Sequence, residues 1–292
     1  MGGYGVTADL ATAPRPVVGA RRAGLAALAA LASAGFRRYA TYRQATAAAT
    51  FTNVVFGLLR CFVLLATTEA AWKAGELTAG YNPQQIALYC WLSQSLIGVV
   101  GIWGWTELGD RIRTGDVVVD LLRPMHPVLN YFAVDVGRAG HAMLTRFVGP
   151  LAAGALLFRL YVPGRASTYP LFLVSLALAV LVSFCGRYLV NAVGFWLLDV
   201  RGVTTLWLFA SGILGGLAFP LHFLPSWLST LFWVATPFPS MLQAPLDVAV
   251  ERGPLTSLLG LVAGQAAWAV VLIGACVLVQ RRAEYKLVVQ GG

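Results

Sequence analysis

The sequence predicts an all-α polytopic membrane protein: six transmembrane helices, a cytoplasmic N-terminal interfacial helix, and short re-entrant helices before the last span. Two observations carry this prediction. Only 11% of the 292 residues are charged and 58% are apolar, whereas soluble domains are about 25% charged. Several apolar stretches also reach the roughly 20 residues that a helix needs to cross the hydrocarbon core.

The charge pattern orients these spans in the membrane. The predicted spans cover residues 46–69, 84–106, 142–161, 169–198, 203–223 and 255–279. A cytoplasmic N-terminus then puts most of the flanking basic residues inside, namely Arg15, Arg21, Arg22, Arg37, Arg38, Arg43, Arg111, Arg113, Arg123, Arg138, Arg201, Arg281, Arg282 and Lys286. Only Lys73, Arg165 and Arg252 fall outside. This asymmetry follows the positive-inside bias, so both termini are predicted to be cytoplasmic. The net charge of +9 therefore indicates topology and contact with membrane lipids rather than nucleic-acid binding.

The N-terminal region precedes a single transmembrane domain, residues 45–292. Residues 1–20 are predicted to be a disordered tail, because they contain glycine and proline without an apolar period. Residues 21–44 are predicted to form the interfacial helix. A signal peptide is the alternative, since a short apolar run follows two arginines. Three more arginines would then have to be translocated, which favours the helix.

A charge-dense segment, residues 106–127, follows the second span. Its sequence, TELGDRIRTGDVVVDLLRPMHP, is predicted to continue as a helix to Gly115 and to begin a new helix at Pro127. An outer region, residues 220–253, is rich in proline and holds two apolar pieces of about ten residues, too short to span a bilayer. Each piece opens with a serine that can cap a helix, so two short helices forming an outer lid are predicted there.

No catalytic or metal site is predicted. The three histidines lie far apart, and the four cysteines fall inside spans without a CxxC pair, which is typical of buried apolar positions. A phosphate-binding loop needs a Gly-Lys pair, yet neither Lys73 nor Lys286 follows a glycine. No cofactor is therefore predicted for this chain, and if ATP drives its function, a partner chain would bind the ATP and magnesium.

A few polar and small residues within the spans are candidates for a substrate path or a subunit seam. Charges at depth tend to face a cavity or a partner, which singles out Arg60 and Arg187, the latter close to Asn191. A structural ion pair is the alternative for both arginines. Arg146 and Arg159 are expected to extend toward the membrane surfaces. Ser211, Gly212 and Gly215 permit close helix contact, either between subunits or within this chain.

Four segments resemble the ABC-2-type permeases, the membrane subunits of a class of bacterial ABC exporters, in a subgroup long known only as a domain of unknown function. The segments are RRYATYRQATAAATF, RTGDVVVDLLRPMHPVLNYFA, FLPSWLSTLFWVATPFPSMLQAPLDV and RRAEYKLVVQGG, in this order from residue 37 to residue 292. The resemblance implies six helices, two permease subunits and two ATPase subunits, with the second permease identical or related. It also implies the bacterial plasma membrane.

In that family the link between the second and third spans carries a coupling helix that docks on the ATPase. The resemblance therefore makes these residues candidate ATPase contacts: Glu107, Asp110, Arg111, Arg113, Asp116, Asp120, Leu122, Arg123 and Pro124. The expected function is export of an amphipathic, lipid-like or drug-like compound. An ATPase-independent secondary transporter and a lipid-modifying membrane enzyme or scaffold are the alternatives.

Overall fold

The computed structural model describes residues 18–103, 106–122, 125–197 and 199–290, with the side chains of 18–23 and 287–290 left out. It is about 80% helical, and the described part contains no strand. The helices are α1 (Val18–Ala40), α2 (Arg43–Lys73), α3 (Pro83–Leu96), α4 (Glu107–Thr114), α5 (Val117–Leu121), α6 (Pro127–Thr145), α7 (Val148–Leu157), α8 (Thr168–Ala192), α9 (Arg201–Leu214), α10 (Ser226–Ala235), α11 (Gln243–Ala249) and α12 (Leu255–Gln290). The all-α prediction is confirmed for these residues.

Three helical stretches are long and apolar enough to cross a membrane among the described residues: Arg43–Lys73, Thr168–Phe195 and Leu255–Lys286. They contain the first, fourth and sixth predicted spans almost entirely. Their surfaces carry many exposed large apolar side chains, among them Phe62 on α2 and Val270 on α12. Because water would disfavour so much exposed apolar area, the chain is a membrane protein.

The other three predicted spans are shorter or interrupted. The second comprises α3 and a π-helical turn, Ile97–Gly101. The third was predicted as one continuous helix, but α6 ends at Thr145 and α7 restarts at Val148. Pro150 explains the restart, because proline lacks an N–H and is tolerated in a first turn but not in a helix interior. The fifth ends at Leu214, where Gly216 adopts a positive φ of 83°.

Helix α1 begins at Val18, so the predicted tail of residues 1–20 extended too far, and its first seventeen residues lie outside the described part. It packs along α6, where a Cβ on Gly35 would lie 2.3 Å from the carbonyl oxygen of Val134. The glycine allows the two backbones to touch. The position of α1 at the membrane surface stays a prediction.

Several local predictions are confirmed. Helix α6 begins at Pro127 as expected. The start of α3 is fixed by a complete capping box between Asn82 and Gln85. The four cysteines are free and buried. The prediction that serines cap the two outer helices is wrong. Ser226 is the first helical residue of α10, and Ser240 lies in a 3-10 turn before α11.

The outer region divides into an exposed helix and a buried one. Helix α10 exposes Trp227 and Val234, whereas every residue of α11 is buried. Asp247 of α11 accepts hydrogen bonds from Tyr81 and Gln243 and pairs with His222, at 2.5, 2.9 and 2.9 Å. These polar contacts satisfy α11 inside the protein, as a short helix away from water requires.

Glu251 joins the end of this outer region to the loop between α7 and α8. Its buried carboxylate accepts hydrogen bonds from the hydroxyls of Tyr161 and Thr168, at 2.7 and 2.5 Å, and from the backbone N–H groups of Gly164 and Arg165. Burial alone would raise the pKa of Glu251. The four hydrogen-bond donors outweigh burial and lower the pKa to about 2, and the hydroxyl of Thr168 contributes the largest lowering.

Replacing Glu251 by Gln should destabilise the fold, because the amide cannot accept all four hydrogen bonds. We expect a loss of about 2–4 kcal/mol, since hydrogen bonds to charged groups are individually worth about 1.5–3 kcal/mol. Thermal unfolding in mild detergent measures this loss, with the exposed Glu76→Gln as a matched control. A variant as stable as the control would contradict the assigned role.

The stability contributed by Glu251 should depend on pH. Its pKa is about 2 when folded and about 4.3 in an unfolded chain. Its stabilisation is therefore full above about pH 5 and is lost as the pH falls toward 2. The difference in unfolding temperature between wild type and Glu251→Gln should shrink over that acidic range, and a difference that stays constant would count against this assignment.

Candidate functional site

The charge-dense segment forms a bent helical hairpin, α4 followed by α5. Helix α4 ends at Gly115, whose φ of 83° is left-handed and is readily adopted by glycine. Helix α5 starts two residues later. The predicted helix end at Gly115 is confirmed, although α4 is separated from the π-turn of the second predicted span rather than continuous with it.

One buried contact fixes the shape of this hairpin. Arg111 donates two hydrogen bonds to the carboxylate of Asp120, at 2.7 and 3.1 Å, and Tyr131 of α6 donates a third at 2.6 Å. Asp120 is only 4% exposed. Burial and the neighbouring carboxylate raise the pKa of Tyr131, which therefore stays protonated and keeps donating.

The remaining candidate contacts divide between α1 and the surface. Glu107 pairs with Arg38 of α1 at 2.7 Å, and the Glu107 carboxylate raises the pKa of the arginine. Asp110, Arg113, Asp116 and Leu122 are exposed, Leu122 by 81%. Val118 and Val119 of α5 are also about half exposed, although the sequence analysis did not select them. Arg123 and Pro124 lie outside the described residues.

Asn191 connects the hairpin to α8. Its side-chain oxygen accepts a hydrogen bond from the Gly109 N–H in α4 at 3.1 Å, and its amide nitrogen donates to the Arg187 carbonyl at 2.8 Å. A Cβ on Gly109 would lie 3.0 Å from the same oxygen, so the contact is close. Asn191 therefore connects α8 to α4, while the Arg187 carbonyl holds the Asn191 side chain in place.

Arg187 forms a buried ion pair with Asp135 of α6, which the sequence analysis left open as an alternative. The two guanidinium nitrogens lie 3.1 and 2.8 Å from the carboxylate oxygens, and both side chains are almost fully buried. Asp135 also accepts two hydrogen bonds from Arg138, at 2.6 and 3.2 Å. One carboxylate thus holds two arginines from two helices.

Arg138 extends this cluster to the π-turn. Its two terminal nitrogens donate to the carbonyls of Gly98 and Val99, at 2.5 and 3.1 Å. A π-turn ending a helix leaves carbonyls without α-helical partners, and the guanidinium supplies donors for them. We call Asp135, Arg138 and Arg187 the buried charge cluster, and it joins α6, α8 and the π-turn.

Asp135 and Arg138 were not selected from the sequence. Their spacing of three residues on a helix was available as a signal, since such pairs face each other. The predicted topology places residues 127–141 in the cytoplasm, where charged side chains are common, so it gives Asp135 and Arg138 no role inside a span.

Arg60 lies in a lateral groove between α2 and α9, separate from the buried charge cluster. The groove has a volume of about 480 Å³ and is lined mainly by apolar side chains, including Phe56, Leu208 and Phe209. Arg60 donates to the Ser93 hydroxyl at 2.9 Å and to the Ala218 carbonyl at 3.3 Å. Its second terminal nitrogen is buried and has no hydrogen-bond partner among the described residues.

The small residues of α9 separate into two environments. Ser211 is fully buried and Gly215 lies against the Phe238 carbonyl, so both serve contacts within this chain. Gly212 instead lines the groove, where a Cβ would have Trp103 at 3.9 Å as its nearest neighbour. The structure places Arg60 and Gly212 on one groove, which neither Arg187 nor Asn191 lines.

The buried charge cluster predicts a ranking of stabilities. Asp135→Asn would leave two buried arginines without a carboxylate, at a cost of about 3–5 kcal/mol. Arg187→Gln should cost less, because Asp135 still pairs with Arg138. Thermal unfolding in detergent tests this order, with Arg201→Gln in an exposed ion pair as the control. If Asp135→Asn lowered the unfolding temperature no more than Arg201→Gln, the cluster would not be what joins these helices.

Comparison with known proteins agrees with this architecture. The family model described as ABC-2 family transporter protein matches residues 52–291, nearly the whole chain. Searches of curated proteins and of solved structures gave no match. Members of this family are membrane subunits of transporters rather than enzymes and generally work with ABC ATPase partners. The chain belongs to the ABC-2 family of transporter proteins.

Proposed function

We propose that this chain is the permease subunit of an ATP-driven exporter, which moves an amphipathic, lipid-like or drug-like compound. A separate ATPase would bind ATP and magnesium, since the chain itself lacks a phosphate-binding loop. The observation that carries the proposal is the α4–α5 hairpin, because it presents an exposed surface and is joined internally to the helices of the bundle.

The hairpin surface is suited to a protein partner. Val118, Val119 and Leu122 are exposed apolar side chains, and the neighbouring helix α4 carries the exposed charges of Asp110 and Arg113. An apolar centre with charged neighbours is the usual composition of a specific protein interface. On the predicted topology this surface lies in the cytoplasm, where ATP is available.

The hairpin is also connected to the membrane helices in two ways. The Asp120 contact with Tyr131 fixes it to α6, and the Asn191 contact with Gly109 fixes it to α8. A displacement of the hairpin by a closing ATPase would therefore act directly on α6 and α8, whose relative position depends on the buried charge cluster. Such a connection is what coupling between ATP hydrolysis and transport requires.

The assembly that we propose contains two permease subunits, identical or related, and two ATPase subunits. Each permease would have six spans, both termini in the cytoplasm of a bacterial cell, and α10 and α11 as an outer lid. The lateral groove between α2 and α9, with Arg60 and Gly212, is our candidate for the substrate path or the permease seam. It supports either role because it opens sideways between two helices with apolar walls.

Affinity purification from mild detergent, followed by mass spectrometry, tests the ATPase partner. We expect the tagged wild type to bring down an ATPase chain, and the variant Arg113→Glu with Leu122→Asp to lose at least nine-tenths of it. Both side chains are exposed, so the variant should fold. The variant adds a carboxylate near the exposed Val118 and Val119 and reverses the charge at position 113, so the surface would no longer match the ATPase.

Arg281→Glu, also exposed and on the predicted cytoplasmic side, is the matched control and should retain the ATPase. Equal recovery with all three proteins would move the contact away from the hairpin. Failure of the wild type to recover any ATPase, under conditions that preserve membrane complexes, would contradict the proposed function.

A further inference from the structure

A second cavity lies beneath the lateral groove and shares a wall with it. This inner cavity has a volume of about 280 Å³ and lies between α1, α2, the π-turn and α6. Thr52, Asn53 and Trp103 line both spaces. The inner cavity and the groove therefore adjoin along α2, and we call the two together the cleft.

The two parts differ sharply in chemistry. Arg138 and Arg146 line the inner cavity, together with polar groups of Tyr39, Asn53 and His141. The groove is lined mainly by apolar side chains of α2 and α9, and among the described residues Arg60 alone gives it a cationic group. A polar, cationic space beside an apolar one matches a molecule with a charged head and a hydrophobic tail.

The cationic end has an excess of positive charge. Asp135 is shared by Arg138 and Arg187 and compensates only one of them. Arg146 is half buried at the break between α6 and α7, and the described residues offer it no salt-bridge partner. The titratable groups that face it are Tyr39 of α1, Arg138 and His141, none of which is anionic at neutral pH. An uncompensated cation in a partly buried cavity favours an anionic ligand.

The backbone holds Arg146 in this position. A Cβ on Gly98 would lie 2.9 Å from the Arg146 side chain, so the π-turn and the arginine are in close contact. The interruption of the third predicted span thus places a cation in the cavity wall.

We propose that the cleft binds an anionic amphiphile, with a single phosphate or carboxylate head beside Arg146 and Arg138 and an apolar chain in the lateral groove. The groove lies between α2 and α9, so on the predicted topology such a molecule would enter it from within the bilayer. This inference rests on the proposed function, because it names the class of compound that the exporter would carry.

Native mass spectrometry of the purified chain in a neutral detergent tests the cationic end. The probes are dioleoylphosphatidylglycerol and dioleoylphosphatidylcholine, which share their chains and differ in net charge. We expect the wild type to prefer the anionic lipid at least fivefold and Arg146→Gln to lose that preference. Arg146→Lys, which keeps the charge, should retain it. No preference in the wild type, or an unchanged one in Arg146→Gln, would overturn the proposal.

Arg43→Gln is the matched control for a nonspecific effect of surface charge. Arg43 is exposed at the start of α2 and does not line the cleft. It should keep the full preference. An equal loss in Arg43→Gln and Arg146→Gln would show adsorption to a basic surface and would overturn the site.

A larger side chain at position 212, which lines the groove, tests whether the groove holds the apolar chain. Gly212→Leu should reduce binding of the dioleoyl lipid at least fivefold and leave dihexanoylphosphatidylglycerol unaffected, because the short chains do not need the groove. Equal binding of the long-chain lipid to both proteins would remove the groove from the site. Inorganic phosphate binding as well as the lipid would make the cavity a simple phosphate site. These outcomes are independent of ATPase recovery, so the two proposals can fail separately.

Discussion

The carboxylate of Asp135 is the constraint on which the rest of the membrane domain depends. It is almost fully buried and receives two guanidinium groups, one from its own helix and one from α8. A buried charge is costly unless it is paired and hydrogen-bonded, so these three side chains must stay together. The position of α6 against α8 and the carbonyls of the π-turn are consequently set by one small cluster.

The buried charge cluster adjoins the α4–α5 hairpin on one side and the inner cavity on the other. Toward the α4–α5 hairpin, Arg187 connects through Asn191 to α4, and Tyr131 connects α6 to the Arg111–Asp120 pair. Toward the cleft, Arg138 lines the inner cavity. The surface that we propose for the ATPase and the site that we propose for cargo therefore adjoin the same buried charges. A movement of the hairpin has a short physical path to the cavity wall.

The sequence predicted the helical class, the long apolar helices and the helix boundaries at Gly115 and Pro127, because each has a local signal, but it did not predict helix α5. Apolar length identifies α2, α8 and α12, and Gly115 and Pro127 end and start helices through their own backbone preferences. The interrupted spans were not predicted. The π-turn at Ile97–Gly101 is compensated by Arg138, about forty residues away along the chain, and no local pattern reports such a contact. The three-residue spacing of Asp135 and Arg138 was visible, but its meaning depends on Arg187.

The most direct test of the central claim, that the α4–α5 hairpin receives an ATPase, is site-specific photocrosslinking in native membranes. A photoreactive amino acid would replace Leu122 on the hairpin or, as a control, the exposed Tyr169 at the predicted outer end of α8. The account predicts a covalent adduct between position 122 and a chain that carries a nucleotide-binding motif, and none from position 169. An ATPase adduct at 169, or its absence at 122 in membranes where the two chains co-purify, would contradict it.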